Sequence, residues 1–383
     1  MAALANGTMS HALDFDDAYP NQIGIPAHPS VPVIPCVFAL GEKYNLSGKE
    51  LLASYILGFE IETRVGSVFE SRLVKSGWHT TPVIGVIGAA AAASKVLRLH
   101  SEKTQNALGI AASFSSGLLH NFGTMTKPLH VGNAAQQGIM SALLARRGFT
   151  ACKDIFDSPM IYFKAFTGES KNDISGLTKE LGSSWLMAKG IGFKPYPSCR
   201  ATHAGIDAAL ELKRRYQFDV NSISDIICRA SKMVYDILTY HHPKTATEAK
   251  FSLEYCLSCA LLDGRVSLQH FTAERLNDPR IKELMEKVRL EPASSEVSYN
   301  DIGYQLTIRL NDGNEFSHRV IAPKGEPDNP MTDEDMALKF KDCAGYTLSS
   351  TNAERCLQLI LNLDSVSVIN ELMEILRAGN NPK

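Results

Sequence analysis

The sequence predicts a mainly α protein with a large all-helical domain and a smaller α+β domain. With 383 residues, the chain exceeds what one compact core usually holds. Helical signals dominate residues 1–190, strand signals appear within 191–327, and helical signals return over 328–383. We therefore expect a discontinuous helical domain, 1–190 plus 328–383, interrupted by the α+β domain.

Capping and periodicity place the helices of the first segment. Ser47–Glu50 forms a capping box in front of LLASYILGFEIETRVG, whose apolar residues recur at spacings of three and four. The stretch Val83–Ala93 is rich in Ala and Gly, which predicts a buried helix with close neighbours. Asn133–Arg147 predicts another helix, ended by Gly148 in a left-handed C-cap.

Strand patterns characterise the second segment. Asp225–Arg229 and Tyr304–Leu310 predict strands, and Asn311–Gly313 after the latter predicts a hairpin. Thr332, followed by acidic residues, predicts the start of a helix. We expect the helices after it to return to the first domain.

Composition excludes several classes of function. The formal net charge is -2 and no Lys/Arg run occurs, so we expect no nucleic-acid partner. Val83–Ala93 is shorter than the roughly 20 apolar residues that cross a bilayer, and the start lacks the pattern of a secretory signal. The eight cysteines show no disulfide or zinc spacing, and the CxxC of Cys256 and Cys259 lies in an apolar run. We expect reduced thiols and a cytoplasmic protein.

Titratable residues recur just before proline breaks that precede helical stretches. His28, His79, Lys127 and Lys194 all occupy such positions. Because the residue before a proline is pushed out of the helical region, we expect these side chains in extended loops. Helix N-termini with added Lys or His bind carboxylates. Each residue alone is more often structural, but together they predict a site for a small polycarboxylate.

A metal site is the alternative for the segment containing His11, Asp14, Asp16 and Asp17. Imidazole and carboxylate groups at close spacing can ligate cations. Adjacent carboxylates in DFDD point different ways, however, and no second cluster of this kind accompanies them. We expect no metal, and Asp14 can instead orient a neighbouring His.

Six motifs in order resemble the MmgE/PrpD superfamily. They are ALANGTMSHALDFDD, AHPS, GWHTT, GTMTKPLHVGNAA, FKPYPSCRATH and EAKFSLEYCLSCALLDG, spread over nearly the whole chain. The superfamily contains 2-methylcitrate dehydratase, cis-aconitate decarboxylase and iminodisuccinate epimerase. The resemblance implies a helical domain with an α+β lid, a site between them, a homodimer, and no metal or organic cofactor. It also implies that early helices of full-length members are absent from this chain.

The resemblance assigns roles to individual residues. In the catalytic set, His79 is the first choice for acid or base, and Asp14 and His28 orient substrate or imidazole. Tyr235, in the strand-like stretch that follows Asp225–Arg229, is a possible second proton donor. Lys127 and Lys194 neutralise substrate carboxylates. The implied sets are, for catalysis, His79, Lys127, Tyr235, Asp14 and His28, and, for substrate binding, Lys194, Lys127, His130, Cys199 and His203.

Two positions depart from the decarboxylase pattern. Ala18 stands where that enzyme has Thr, and Cys199 stands where it has His after the FKxxP segment. The motifs GWHTT, NFGTMTKP and YPSC more closely resemble those of the epimerase branch. All these activities create or quench carbanion character next to a carboxylate. We expect a cofactor-independent lyase that dehydrates or decarboxylates a di- or tricarboxylic acid; the alternatives are an epimerase of an iminodisuccinate-like acid and a truncated, non-catalytic homologue.

Overall fold

The computed structural model describes residues 1–20, 23–158, 161–170, 172–293, 297–299 and 301–378. It is mainly helical, with one small mixed sheet and a two-stranded ribbon. The helices are α1 Ala2–Ala12, α2 Ser30–Tyr44, α3 Gly48–Phe69, α4 Arg72–Lys75, α5 Thr80–Val96, α6 Ser101–Ala112, α7 Thr126–Arg146, α8 Tyr162–Thr167, α9 His203–Tyr216, α10 Lys232–Ile237, α11 Ala246–Ala249, α12 Leu253–Asp263, α13 Ala273–Leu276, α14 Pro279–Met285, α15 Asp333–Ala344, α16 Ser350–Leu361 and α17 Asn370–Ala378. The strands are β1 Asp17–Ala18, β2 Gly192–Phe193, β3 Ile223–Ala230, β4 Val288–Pro292, β5 Tyr304–Leu310 and β6 Glu315–Val320.

Helix α5 is the centre of the helical domain. It packs against α2, α3, α6 and α7, and nearly all of its residues are buried. A helix that is apolar all round must be covered on every side, and its alanines and glycines let the neighbours come close. The prediction of a buried helix here is confirmed. The capping box of Ser47 and Glu50 is also present, at the start of α3.

The C-terminal helices lie against the helical domain. Cys356 of α16 and Leu372 of α17 share a buried apolar cluster with Val37 of α2, Leu51 of α3 and Ala92 of α5. Helix α15 begins at the expected cap, because Thr332 and Asp335 form a capping box. The last helices therefore complete the core that the first helices begin.

The α+β domain is a four-stranded sheet with helices on one side. The strand order is β4-β3-β5-β6, with β3 parallel to β4 and antiparallel to β5. Strands β5 and β6 form the expected hairpin, with Gly313 at φ 87°. Helix α9 packs on β5 and β6, and α12 packs on α9. Cys256 and Cys259 of α12 are fully buried in this core, and all eight cysteines are free.

A short ribbon joins the two domains. Strand β1 pairs antiparallel with β2, so that Asp17 faces Phe193 and Ala18 faces Gly192. Lys194 follows β2 directly, and Asp14 lies three residues before β1. The ribbon therefore brings the DFDD segment and the FKPYP segment together.

Two local expectations were wrong. Helix α7 begins at Thr126 instead of Asn133, so Lys127 lies in its first turn and not in an extended loop. Pro128 is accommodated because the first N–H groups of a helix have no intrahelical acceptor. Tyr235 lies in helix α10 instead of a strand-like stretch, because β3 ends at Ala230 and Ser231 begins the next helix.

None of the helices in the described residues has the length and apolar character that a membrane span requires.

The contact between α5 and α7 requires Gly138. A Cβ at this position would lie 2.4 Å from the Cβ of Ala89 and 2.8 Å from Ala90 N. Gly138→Ala should therefore lower the free energy of unfolding by about 2 kcal/mol through overpacking, although alanine normally favours a helix by about 1 kcal/mol. Urea unfolding measures this change. Gly176→Ala is the control, because its nearest atom would be Ser67 Oγ at 3.7 Å; equal stability of both variants would contradict the prediction.

Candidate active site

A cleft lies between the two domains. The helical domain contributes residues 18–20 and 24–28 together with His79, Phe122 and Lys127. The α+β domain contributes apolar side chains and two polar ones at its other wall. These residues are Cys199, Arg200, Ala201, Met233, Ile237 and Ile302.

Asp14 is the buried centre of the site. Its Oδ1 accepts hydrogen bonds from Lys127 Nζ at 2.9 Å and Lys194 Nζ at 2.7 Å. Lys194 Nζ also donates to the Asp14 carbonyl at 3.0 Å. Both lysines are almost fully buried, but only Lys127 lines the cleft. Lys194 therefore lies behind Asp14 and fixes it, while Lys127 presents charge to the cleft.

The chain reaches this position through a left-handed turn. Helix α1 ends at Ala12, and Asp14 has φ 51°, a conformation that Asp tolerates better than most residues. Lys250 Nζ donates to the Ala12 carbonyl at 3.2 Å. The end of α1 is thus held from the α+β domain as well.

The charges around Asp14 leave an excess of positive charge. Burial acts to raise the pKa of the Asp14 carboxyl, but Lys127 and Lys194 outweigh it and hold that pKa well below its usual range. Burial lowers the pKa of Lys250 to about 8. The trio of Asp14, Lys127 and Lys194 carries one net positive charge, which favours an anionic ligand, although the Asp16 carboxylate lies nearby beside His11 and His28.

His28 is held in one orientation. Its Nδ1 donates to the Asp17 carbonyl at 2.7 Å and lies 2.9 Å from Asp16 Oδ2. This contact places a proton on Nδ1, while Nε2 lies 3.9 Å from Asp14 Oδ1. Because His28 lines the cleft, its Nε2 can exchange a proton with a bound ligand.

His79 is the second cleft histidine. It caps α5 in an extended conformation and is 2% exposed. Its Nδ1 lies 3.2 Å from Nδ1 of His130, and its Nε2 has no hydrogen-bond partner among the described residues. Burial, followed by the charge of Lys127, holds the pKa of His79 well below its usual range. The neutral ring is therefore available as an acid or base.

His11 was expected only as a candidate metal ligand, and not as a catalytic or binding residue. Its Nδ1 lies 2.9 Å from Asp16 Oδ1, and its ring packs 4.6 Å from His28 and 6.1 Å from His79. Burial lowers the pKa of His11 to about 4, although Asp16 opposes this shift. The available signal was its position one helical turn before Asp14, which brings both side chains to the same end of α1.

Five of the expected residues do not line the cleft, namely Asp14, Lys194, Tyr235, His203 and His130. Tyr235 lines a separate cavity with His241, His242 and Glu254, and its hydroxyl has no hydrogen-bond partner in the described part of the chain. The helical periodicity of α10 explains this, because its neighbours Met233 and Ile237 point to the cleft instead. His203 is fully buried, with Nε2 3.2 Å from the Ser198 carbonyl. Of the other expected binding residues, Cys199 lines the cleft, whereas His130 lies behind His79.

Four side chains in the site have groups that can ligate a metal ion. Ligand atoms of His11, Asp14, Asp16 and His28 lie within 4.8 Å of one another. The ammonium groups of Lys127 and Lys194 already occupy Asp14 Oδ1, and their charge repels a metal ion. The arrangement suits a carboxylate ligand better.

Removal of the Asp14 charge tests this electrostatic centre. Asp14→Asn leaves two buried ammonium groups without a counter-charge and should lower the free energy of unfolding by about 3 kcal/mol at neutral pH. Because the folded-state pKa lies below the ordinary 3.8, this contribution is present above pH 3.8 and is lost as the pH falls through the folded-state value. Urea unfolding at several pH values measures it.

The control is Asp157→Asn, at an exposed carboxylate, which should leave stability unchanged. A difference between wild type and Asp14→Asn that already disappears between pH 7 and pH 5 would contradict the depressed pKa.

Comparison with known proteins agrees with this architecture. The MmgE/PrpD N-terminal domain model matches residues 1–175, and the MmgE/PrpD C-terminal domain model matches residues 196–365. The chain is 31% identical over 390 residues to a cis-aconitate decarboxylase of Mus musculus, covering 98% of this chain and 78% of that protein. It is 29% identical to a cis-aconitate decarboxylase of Aspergillus terreus (98% and 80% covered). It is 23% identical to a 2-methylcitrate dehydratase of Escherichia coli (84% and 69% covered). With its two domains and the cleft between them, this chain therefore belongs to the MmgE/PrpD family.

Proposed function

We propose that this protein is a lyase that acts on a small polycarboxylic acid of the aconitate or methylcitrate type. The observation that carries this proposal is the ammonium group of Lys127, which lines the cleft beside two histidines and is backed by Asp14 and Lys194. Relatives named cis-aconitate decarboxylase and 2-methylcitrate dehydratase support it.

The cleft is suited to a ligand with several negative charges. Lys127 projects from the first turn of α7, where free N–H groups add partial positive charge. Arg200 lines the opposite wall, although its guanidinium also pairs with Glu326. Carboxylates at two ends of a substrate can therefore meet cations from both domains.

The chemistry needs a stabilised carbanion and a proton carrier. In decarboxylation, a C–C bond breaks, carbon dioxide leaves, and the electron pair remains next to another carboxylate until a proton adds. In dehydration, a base removes the proton from the carbon next to a carboxylate. The hydroxyl group on the neighbouring carbon gains a proton and leaves as water. Lys127 stabilises the enolate-like charge in both reactions.

His79 and His28 are the proposed proton carriers. Both line the cleft, and each has Nδ1 engaged by the protein while Nε2 remains for the substrate. We assign no proton transfer to Tyr235, because its side chain lines another cavity. Lys194 and His203 are buried behind the cleft and hold its walls.

Cys199 bears on the choice between the two reactions. It lines the cleft at the position where the decarboxylase pattern has His, and burial raises the pKa of its thiol to about 11. A neutral thiol is a weaker proton donor than an imidazole near neutral pH. Cys199→His should therefore raise the decarboxylation rate relative to dehydration.

Turnover in deuterated water tests the class of reaction. Purified protein is incubated with cis-aconitate and with 2-methylcitrate, and products are followed by NMR. We expect loss of carbon dioxide or water from one of these acids. Deuterium appearing at a stereocentre without either loss would overturn the lyase proposal in favour of an epimerase. Activity that persists in EDTA is expected, because the charge needed is supplied by Lys127.

Lys127 is the residue whose loss should be most damaging. Lys127→Met keeps an unbranched side chain that is one atom shorter and removes its charge, so kcat/KM should fall by about 10²–10³-fold. Lys153→Met is the matched control, since that side chain is 67% exposed. An unchanged kcat/KM in a folded Lys127→Met variant would show that the cleft cation does not stabilise the reaction.

A further inference from the structure

The contact between His79 and His130 ties the proton positions of two rings together. Their Nδ1 atoms are 3.2 Å apart. A hydrogen bond at this distance requires a proton on one nitrogen and a lone pair on the other. When His79 carries its proton on Nδ1, its Nε2 is a base. When His130 donates instead, His79 accepts at Nδ1 and its Nε2–H is an acid.

The two rings differ in their access to water. His79 is 2% exposed, whereas His130 is partly exposed on α7, one residue after Leu129, which is 45% exposed. The backbone at Gly117 packs against both histidines. His79 N donates to the Gly117 carbonyl at 2.9 Å, and a Cβ on Gly117 would lie 3.3 Å from His130 Nδ1. His130 thus lies between solvent and the buried ring.

We propose that His130 is a relay that exchanges protons between solvent and His79, and that it does not bind substrate. This inference rests on the proposed lyase function. During decarboxylation, His79 Nε2–H goes to the carbanion, the Nδ1 proton of His130 moves to His79 Nδ1, and water reprotonates the other nitrogen of His130. After product release, water in the open cleft protonates His79 Nε2, the shared proton returns to His130 Nδ1, and the other nitrogen of His130 releases its proton to solvent, which restores the starting tautomers. One proton is consumed in each turnover, which matches the one proton that replaces the lost carbon dioxide.

A relay is needed because the substrate itself closes the direct route. A polycarboxylate in the cleft covers His79, whose ring also packs edge-on against Phe122 at 4.9 Å. The charged and titratable groups near the pair are Lys127, His11 and His28. Burial, followed by Lys127, lowers the pKa of both His79 and His130. Both rings are therefore neutral at rest and pass a proton without storing charge.

His130→Asn tests the relay. The amide can keep a polar contact with His79 Nδ1 but cannot pass a proton through its side chain. We expect kcat to fall about 100-fold with little change in KM, and added imidazole to restore part of it in proportion to its concentration. His100→Asn, at the exposed start of α6, is the control and should match wild type.

Other outcomes exclude the relay. A raised KM with unchanged kcat would show that His130 binds substrate. A wild-type kcat, or a loss that imidazole does not restore in a variant with native circular dichroism, would leave His130 a structural residue.

A measurement without substrate separates this inference from the lyase proposal. In ¹⁵N-histidine NMR, a relay requires His79 to populate both tautomers in the wild type and one in His130→Asn, with His79→Gln used for assignment. A single His79 tautomer in the wild type would overturn the relay whatever the reaction. Mixed tautomers in a protein that transforms neither test acid would uphold the coupling and overturn only the lyase proposal.

Discussion

The site depends on one carboxylate shared by two lysines. Asp14 and Lys127 are 113 residues apart in the chain, and Asp14 and Lys194 are 180 apart, yet both ammonium groups bond to the same oxygen. Burying three charges costs several kcal/mol for each ion, and only close pairing offsets this. The β1–β2 ribbon supports the pair of Asp14 and Lys194 by holding their two segments in register. The interaction therefore determines how the domains meet and where the cleft opens.

The same arrangement explains why the cleft favours anions. Asp14 neutralises one lysine, so the other remains a cation at the cleft wall. Lys339 strengthens the support from the C-terminal helices, because its Nζ donates to the Lys194 carbonyl at 2.7 Å and lies 4.1 Å from the ring centre of Phe15. A substrate carboxylate would complete the charge balance that the protein leaves open.

The histidines, unlike the lysines, are kept uncharged by their surroundings. Burial and the nearby lysines favour neutral rings at His11 and His79, whereas a carboxylate partner such as Asp16 favours the proton. A neutral imidazole has one N–H and one nitrogen lone pair, so the same ring offers both a proton donor and a proton acceptor. Different side chains of one cleft therefore carry two separate tasks. A fixed cation stabilises the carbanion, and neutral imidazole rings transfer the proton.

Local sequence patterns were enough to predict the secondary structure at several points and four of the cleft residues, His28, His79, Lys127 and Cys199. The capping box at Ser47, the hairpin at Gly313 and the cleft positions of His28 and His79 follow from patterns a few residues long. Local patterns carry little information about which distant groups meet. Only the tertiary structure buried Lys194 behind Asp14, added His11 to the site and placed Tyr235 outside it. These outcomes depend on strand pairing and on the face that each helix presents, because packing between distant segments decides which charges leave water together.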